Sequence, residues 1–418
     1  MGPSRDSTPV PLLGLLGLAG LAFLVLASYE VARPAVESLF LEAYTSEGLP
    51  WVWLAVGVTA FLVVLAYNRV VARVGLVSLF GRAAGVSAVV LVVIQLAIRA
   101  DVPGSVFALY VWKDVYVVVL VEIFWSFANT VIPTDRAKWL YGIFCAVGAL
   151  GAMSGNLLVG LVAKEAGTSD ALWLIVPILL MAAFLCRFVD RLLSSDSGER
   201  MGTAKSVAFG DGLKVVGASP YLRWMVALIV FTQLVVNLVD FQFNSVIETF
   251  YPETDARTAV IGQVYAAINL SSLVLQLGAG LVLSLLGVSR SLLAIPLIVG
   301  STLVVFVLMP GFAAIAVAKV ASKAFDYSIF RAAKELLYIP LGYAEKTQGK
   351  AVVDILTYRV AKGGASAMLI ALGLFGAADL ALGCALVCAV LWVLAIRKLM
   401  PLYSDRLEPH QDDSLTGA

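Results

Sequence analysis

Several charged residues stand inside long apolar stretches of this chain: Arg33, Glu37, Lys113, Asp114, Glu122, Asp240, Arg359 and Lys362. A charge in hydrocarbon costs roughly 3 kcal/mol on insertion scales, so it normally faces a partner or a water-filled cavity. Cations held in a partly dry cavity suit a phosphate-bearing substrate. Arginine's planar fork binds phosphate oxygens in pairs, and lysine acts as a point charge. Arg359 and Lys362 are spaced to share one helix face, and a helix starting at Lys350 places both about 14–18 Å along it at 1.5 Å per residue. Arg33 precedes Pro34, which is expected to kink its helix and release backbone groups. The spacing of Lys113 and Glu122 puts them on opposite sides of a helix, so Glu122 fits a gate or an inter-helix pair better than a shared pocket. Any of Glu37, Glu122 and Asp240 could carry a coupling proton. The same charges could instead pair with one another and lock a helix bundle.

Other chemistry finds little support. The single histidine, His410, lies in the polar tail, which argues against a histidine metal site or a triad. Cys145, Cys186, Cys384 and Cys388 lack zinc-like spacing and read as small core residues. Gly363-Gly364 has no phosphate-loop context. No enzyme site, cofactor or metal is expected.

The elements that must position these charges are membrane helices. The chain has 418 residues, 61% hydrophobic and 14% charged, whereas soluble domains run near 45–50% and 25%. The net charge of +1 gives no case for nucleic acid; the expected surroundings are a lipid bilayer. A span needs roughly 20 apolar residues. Twelve candidates lie near 10–43, 51–68, 83–99, 104–131, 138–163, 171–192, 221–248, 257–286, 291–309, 311–337, 350–375 and 379–398. The expected fold is all-α: a polytopic membrane protein with twelve transmembrane helices in a major-facilitator-like six-plus-six arrangement. Its parts are an N-terminal half (1–193), a polar linker (194–219), a C-terminal half (220–400) and a polar tail (401–418). The N-terminus lacks a small-residue cleavage site and reads as a retained first helix.

Lysine and arginine placement sets orientation. Of the 29 basic residues, Arg99, Lys164 and Arg257 fall in outer loops. Arg33, Lys113, Arg359 and Lys362 fall within spans. The others, including Lys319, Lys323 and Lys334, are assigned to inner segments. Both termini are therefore expected in the cytoplasm.

The halves repeat weakly. Ile132-Pro133 after the fourth span matches Ile339-Pro340 after the tenth, and the spacing of Tyr29 and Glu37 matches that of Asp240 and Glu248. Parallel six-helix halves place a substrate between them near the midplane. Small residues Gly148, Gly151, Gly155, Gly278, Gly280, Gly363 and Gly364 would let helices approach closely.

Three stretches carry a family resemblance. FWSFANTVIPTDRAKWLYGIF, from Phe124, resembles an FWxFAN…AKxxY signature. SKAFDYSIFRAAKELLYIPLGYAEKTQGKAVVDILTYRVAKGGAS, from Ser322, is similar to SKxxKYSLFDPTKEMAYIPL…KGKAAIDV…GKSGGS. YEVARPAVESL, from Tyr29, follows Y-x-x-x-R-D-x-K-D-x-L. All three resemble the ATP/ADP translocase family of plastids and obligate intracellular bacteria, with its free-living bacterial relatives. The resemblance spans nearly the whole chain. It implies a nucleotide exchanger relying on four charged membrane positions, which fall here on Val36, Lys113, Asp240 and Lys362. The acidic seventh-span and basic eleventh-span positions are kept; the first- and fourth-span positions are altered, although Arg33 and Asp114 are close by.

The function expected is secondary transport of an ATP/ADP-like nucleotide or related phosphorylated anion by alternating access, with exchange favoured. Substrate-binding candidates are Arg33, Lys113, Asp240, Arg359 and Lys362. Coupling or gating candidates are Glu37, Asp114, Glu122, Asn129 and Lys334. Trp125, Phe127 and Tyr358 could stack a base. The alternatives are proton-coupled transport of another anion, or a non-transporting sensor or assembly protein of the same fold. The chain is expected to be a monomer in the bacterial inner membrane.

Overall fold

A computed structural model describes residues 11–71, 74–132, 134–193, 209–342, 345–350 and 352–407. Residues 194–208 of the expected linker, most of the expected tail with His410, and Pro133 lie outside the described residues, as do the side chains of Arg136 and Lys138. The described residues form helices and turns, with no strand among them. The helices are α1 (Leu12–Tyr44), α2 (Leu49–Val71), α3 (Leu76–Arg99), α4 (Ser105–Val131), α5 (Thr134–Ala166), α6 (Ile175–Leu193), α7 (Phe209–Ala218) and α8 (Pro220–Phe250). They continue as α9 (Thr254–Leu308), α10 (Phe312–Phe325), α11 (Arg331–Leu337), α12 (Thr357–Leu374) and α13 (Leu380–Leu407).

Nine helices among the described residues are long and apolar enough to cross a membrane. One of them, α9, holds two expected spans: at Gly287 the backbone turns to φ 74°, ψ 165°, a conformation that costs glycine little. The charged helix α4 and the stretch 312–337 stand beside these nine, consistent with the twelve spans expected. That last stretch is not one regular helix. A π-helical turn, Asp326–Phe330, joins α10 to α11, and such turns concentrate at functional sites. The second part of the expected linker is helical, as α7, and α13 runs on to Leu407. Helix α8 starts cleanly, because Ser219 Oγ accepts from the Leu222 amide and Pro220 supplies a preset first turn.

The chain divides into two compact units. The first comprises Met1–Ala43, Val58–Thr203 and Glu253–Ala266. Within it α3 packs on α4 and α6, and α5 lies backbone-close to α1. A Cβ on Gly155 would meet the Ala27 carbonyl at 2.5 Å, and one on Gly151 would fall on the Phe23 backbone. Gly262, from residues 253–266, meets the Asn156 carbonyl just as closely. The second unit comprises Tyr44–Gly57, Ala204–Pro252 and Ala267–Ala418, and α8 is its axis, packed by α10, α12 and α13. The expected close approaches at Gly278, Gly280 and Gly364 do not occur: nothing lies within 4 Å of a Cβ built there. Their helix faces are open, whereas the expected fifth-span glycines Gly148, Gly151 and Gly155 all lie against α1. Cys145 is exposed, not a core residue as expected, while Cys186 and Cys388 are buried.

Candidate functional site

Each unit holds a cluster of buried charge. In the first, Glu30, Arg33 and Glu37 fall on one face of α1 because they are spaced at helical intervals of three and four. Arg33 lies 3.5 Å from Glu30 and 3.5 Å from Glu37. Its guanidinium carbon stands 3.8 Å from the centroid of the Tyr265 ring, within cation–π range. The Tyr265 hydroxyl donates to Glu37 Oε2 at 2.6 Å, and Asn156 Nδ2 donates to Glu30 Oε2 at 2.9 Å. The arginine is thus held by two carboxylates of α1 and a ring from α9, and Asn156 of α5 fixes one of those carboxylates.

Helix α4 adds Lys113, whose ammonium lies 2.9 Å from Asp114 Oδ1 and 4.0 Å from the Tyr110 ring centroid. Lys113 is 2% exposed. Tyr29 also donates to Asp114 Oδ1 at 3.2 Å, tying α1 to α4. Glu122 is exposed while Lys113 is buried, as their half-turn separation requires. Val36, where the family resemblance looks for a lysine, is fully buried.

In the second unit Asp240 on α8 meets two lysines of α10. Lys323 Nζ lies 2.6 Å from Oδ2, and Lys319 Nζ lies 3.6 Å from Oδ1. Lys319 is fully buried and sits 4.0 Å from the Phe243 ring centroid. One turn on, Asp326 accepts from Gln233 Nε2 at 3.2 Å. Further along, Lys334 and the Tyr338 hydroxyl converge on Asp354 Oδ1 at 2.7 and 2.8 Å. Burial requires such pairing, since an isolated ion in a low-dielectric interior costs several kcal/mol.

The candidates fare differently. Arg33 and Glu37 are brought together, as are Lys113 and Asp114. Asp240 is charged-paired but with lysines that were not candidates. Lys319 and Lys323, assigned to inner segments, lie inside α10, and Arg257, assigned to an outer loop, is 2% exposed and donates to the Ser38 carbonyl at 2.9 Å. The positive-inside count considers only the side of the membrane, so it did not anticipate these contacts within helices. Arg359 is exposed and stands in the first turn of α12, because the regular helix begins at Thr357 rather than near Lys350. Lys362 is half-buried. Asn129 is exposed and accepts from Tyr141. Trp125 packs edge-on against Phe124 and Tyr141, and Phe127 is buried; Tyr358 lies under the Lys334 ammonium at 5.1 Å. Tyr265, Asn156, Gln233 and Asp326 were not anticipated. The Glu30–Arg33–Glu37 spacing and the one-turn spacing of Lys319 and Lys323 were visible signals for the rest.

The sequence profile of the TLC ATP/ADP transporter family matches residues 105–320 and 310–403. The chain belongs to that family. ADP,ATP carrier protein 3 of Rickettsia felis is 25% identical over 300 residues, covering 61% of this chain and 60% of the carrier. ADP,ATP carrier protein 1 of Chlamydia trachomatis is 26% identical over 341 residues, covering 70% and 64%. The chain spans about 60% of the length of the first of these curated relatives. Among solved structures, a bacterial homologue of the iron transporter ferroportin, in its inward-facing state, superposes with a TM-score of 0.69 at 14% identity over 92% of this chain and 99% of its own. The nucleoside transporter NupG gives 0.68 at 12% identity over 94% and 99%. At such identity the likeness shows the fold, that of the major-facilitator-like transporters. The chain is an integral membrane protein.

Proposed function

We propose that the chain is a secondary transporter that exchanges adenine nucleotides or closely related phosphorylated anions by alternating access. The observation that carries this is a set of largely enclosed charges within a chain of the TLC ATP/ADP transporter family: Lys113 is buried and the side chains of Arg33 and Asp240 keep 13% and 14% of their surface exposed, on membrane helices where an unpartnered charge is costly. Arg33, Lys113, Asp240, Arg359 and Lys362 are the substrate-binding residues in this reading. Glu37, Asp114, Glu122, Asn129 and Lys334 couple or gate. The relatives named ADP,ATP carriers supply the substrate class. The halves are residues 1–193 and 220–400 with 194–219 as a cytoplasmic linker; both termini face the cytoplasm, the membrane is the bacterial inner membrane, and the working unit is a monomer.

Proteoliposomes test it. Labelled ATP should enter vesicles preloaded with ADP and not empty ones, and Arg33→Ala should abolish entry. Equal entry into empty vesicles would end the exchange reading. One observation favours a second reading: two buried glutamates flank Arg33, and paired carboxylates on a membrane helix suit coupling to protons. Uptake into empty vesicles driven by a pH gradient alone would select proton coupling.

A further inference from the structure

The first unit carries a groove of about 550 Å³ among α2, α3 and α4. Its walls run from Ala83 to Ile94 on α3 and from Ala108 to Val119 on α4, and Thr59 adds to them from α2. Each of the two long walls extends about 16 Å at 1.5 Å per residue. That is roughly half of the 30 Å hydrocarbon core of a bilayer, the depth of one leaflet. None of the described lining residues is charged. Val86 and Val90 are exposed at its rim, while Trp112 and Tyr116 are buried at its floor. The polar groups of that floor are already used: Trp112 Nε1 donates to the Ser87 carbonyl at 3.1 Å, and the Tyr116 hydroxyl donates to Ser28 Oγ at 3.3 Å. The two rings stack with centroids 4.4 Å apart. What remains for a ligand is methyl groups and ring faces. Apolar cavities stay dry and take apolar ligands, and one of roughly 150 Å³ holds benzene.

We propose that this groove is a binding site for one acyl chain of a membrane lipid. The position selects the ligand. Helices α2 and α3 are apolar enough to cross a membrane, and Ala83–Ile94 is the middle of α3, so hydrocarbon is the medium that reaches the groove. A flat lipid-facing helix touches a chain from one side only. The groove touches it from three helices, and dispersion contacts accumulate with each, so this chain stays while its neighbours exchange. The occupied groove also backs the turn of α4 that carries Lys113, the residue after Trp112. The inference is independent of the nucleotide reading and needs only the bilayer.

The test uses the full chain in phosphatidylcholine vesicles, with a chain-brominated phosphatidylcholine as the probe, because bromine quenches an indole that it touches. The difference between the wild type and Trp112→Phe isolates the fluorescence of Trp112 from that of the exposed Trp51 and Trp139. The Trp112 signal should be quenched in the wild type and should recover by at least half in Ala108→Phe, whose added ring fills the groove. Ala108 is exposed, so that change leaves the core alone. Native mass spectrometry after detergent exchange is the second readout: the wild type should carry one phospholipid through, and Ala108→Phe none. A Trp112 signal untouched by bromine in the wild type overturns the inference, and so does one equally quenched in Ala108→Phe. A wild-type protein stripped of all lipid overturns it too, since the chain is then a passing neighbour. A dimer that Ala108→Phe splits overturns it by giving the groove to a second copy of this chain. Should Trp112→Phe or Ala108→Phe fail to fold, the lipid carried by the wild type and by Ala108→Leu decides alone. Neither readout involves a nucleotide, so failure here leaves the proposed function standing.

Discussion

The two charge clusters are opposites. In the first unit one cation, Arg33, is held between two carboxylates; in the second one carboxylate, Asp240, is held between two cations. The first arrangement is local, since Glu30, Arg33 and Glu37 all belong to α1 and meet whenever that helix forms. The second is tertiary, since Asp240 is on α8 and its lysines are on α10. The local cluster therefore serves to aim a guanidinium against Tyr265, while the tertiary one also pins two helices.

The largest expected effect follows from which charge is central. Arg33→Met leaves two buried glutamates without their shared cation, and Asp240→Ala leaves two buried lysines without their shared anion. Each should destabilise the ligand-free protein by about 3–5 kcal/mol. Removing a flanking charge leaves the central pair intact, so Glu30→Gln or Lys323→Gln should cost about 1 kcal/mol or less, the net value of one hydrogen bond. Unfolding in detergent, followed by circular dichroism, measures all four. If Arg33→Met proves as mild as Glu30→Gln, the first cluster is solvated rather than buried, and the symmetry with the second is lost.

A smaller effect separates the units by packing. Gly151 lies against the Phe23 backbone, which cannot move aside as a flexible side chain would. Gly151→Leu should destabilise by roughly 1–3 kcal/mol or more, as overpacking does. Gly278→Leu, on an open helix face, should change the melting temperature little. Equal losses at both positions would mean that Gly278 meets a surface formed only in another conformation of the protein.

These contrasts also explain what could be read from the sequence. The spans were legible because about 20 consecutive apolar residues have few other uses, and even the 55-residue α9 divides at a glycine, as the two expected spans did. Arg33, Lys113 and Asp240 were legible because charge is rare in such stretches. Their partners were not. Lys319 and Lys323 fall within the expected span 311–337 yet were counted with the inner segments, and the packing of α10 on α8 is what brings them to Asp240. Tyr265 and Asn156 carry no signal of their own, since each is an ordinary residue until a distant helix brings a charge to it. The place of Arg359 along its helix differs from the expected one for another reason. The turns before α12 are π-helical, which delays the regular helix, and apolar composition does not report that.

The smallest expected effect is one of pH, and it lies outside the spans. Glu345 receives two hydrogen bonds from Arg406, at 2.7 and 3.2 Å. Arg406 also lies 4.8 Å from the Tyr221 ring centroid and donates to Ser219 Oγ, so the pair joins the end of α13 to the start of α8. The hydrogen bond from Arg406 holds the Glu345 carboxyl below its ordinary value of 4.5, against a smaller opposing effect of burial. The folded value is therefore below the unfolded one, and the native state binds fewer protons between the two. By linkage the stabilisation is complete above the unfolded value and is lost as pH falls through the folded one. Solvent screening keeps it small, under about 1 kcal/mol. Glu345→Gln should melt slightly below the wild type at neutral pH, and the two curves should converge as the medium is acidified below the ordinary glutamate value. The first unit offers the control: Arg99 and Asp170 pair at 2.6 Å, but both are more than half exposed, so Asp170→Asn should leave the melting curve where it was. A gap between Glu345→Gln and the wild type that persists unchanged into acid would show that the substitution acts through packing, and that the pair adds no pH-dependent link between the two helices.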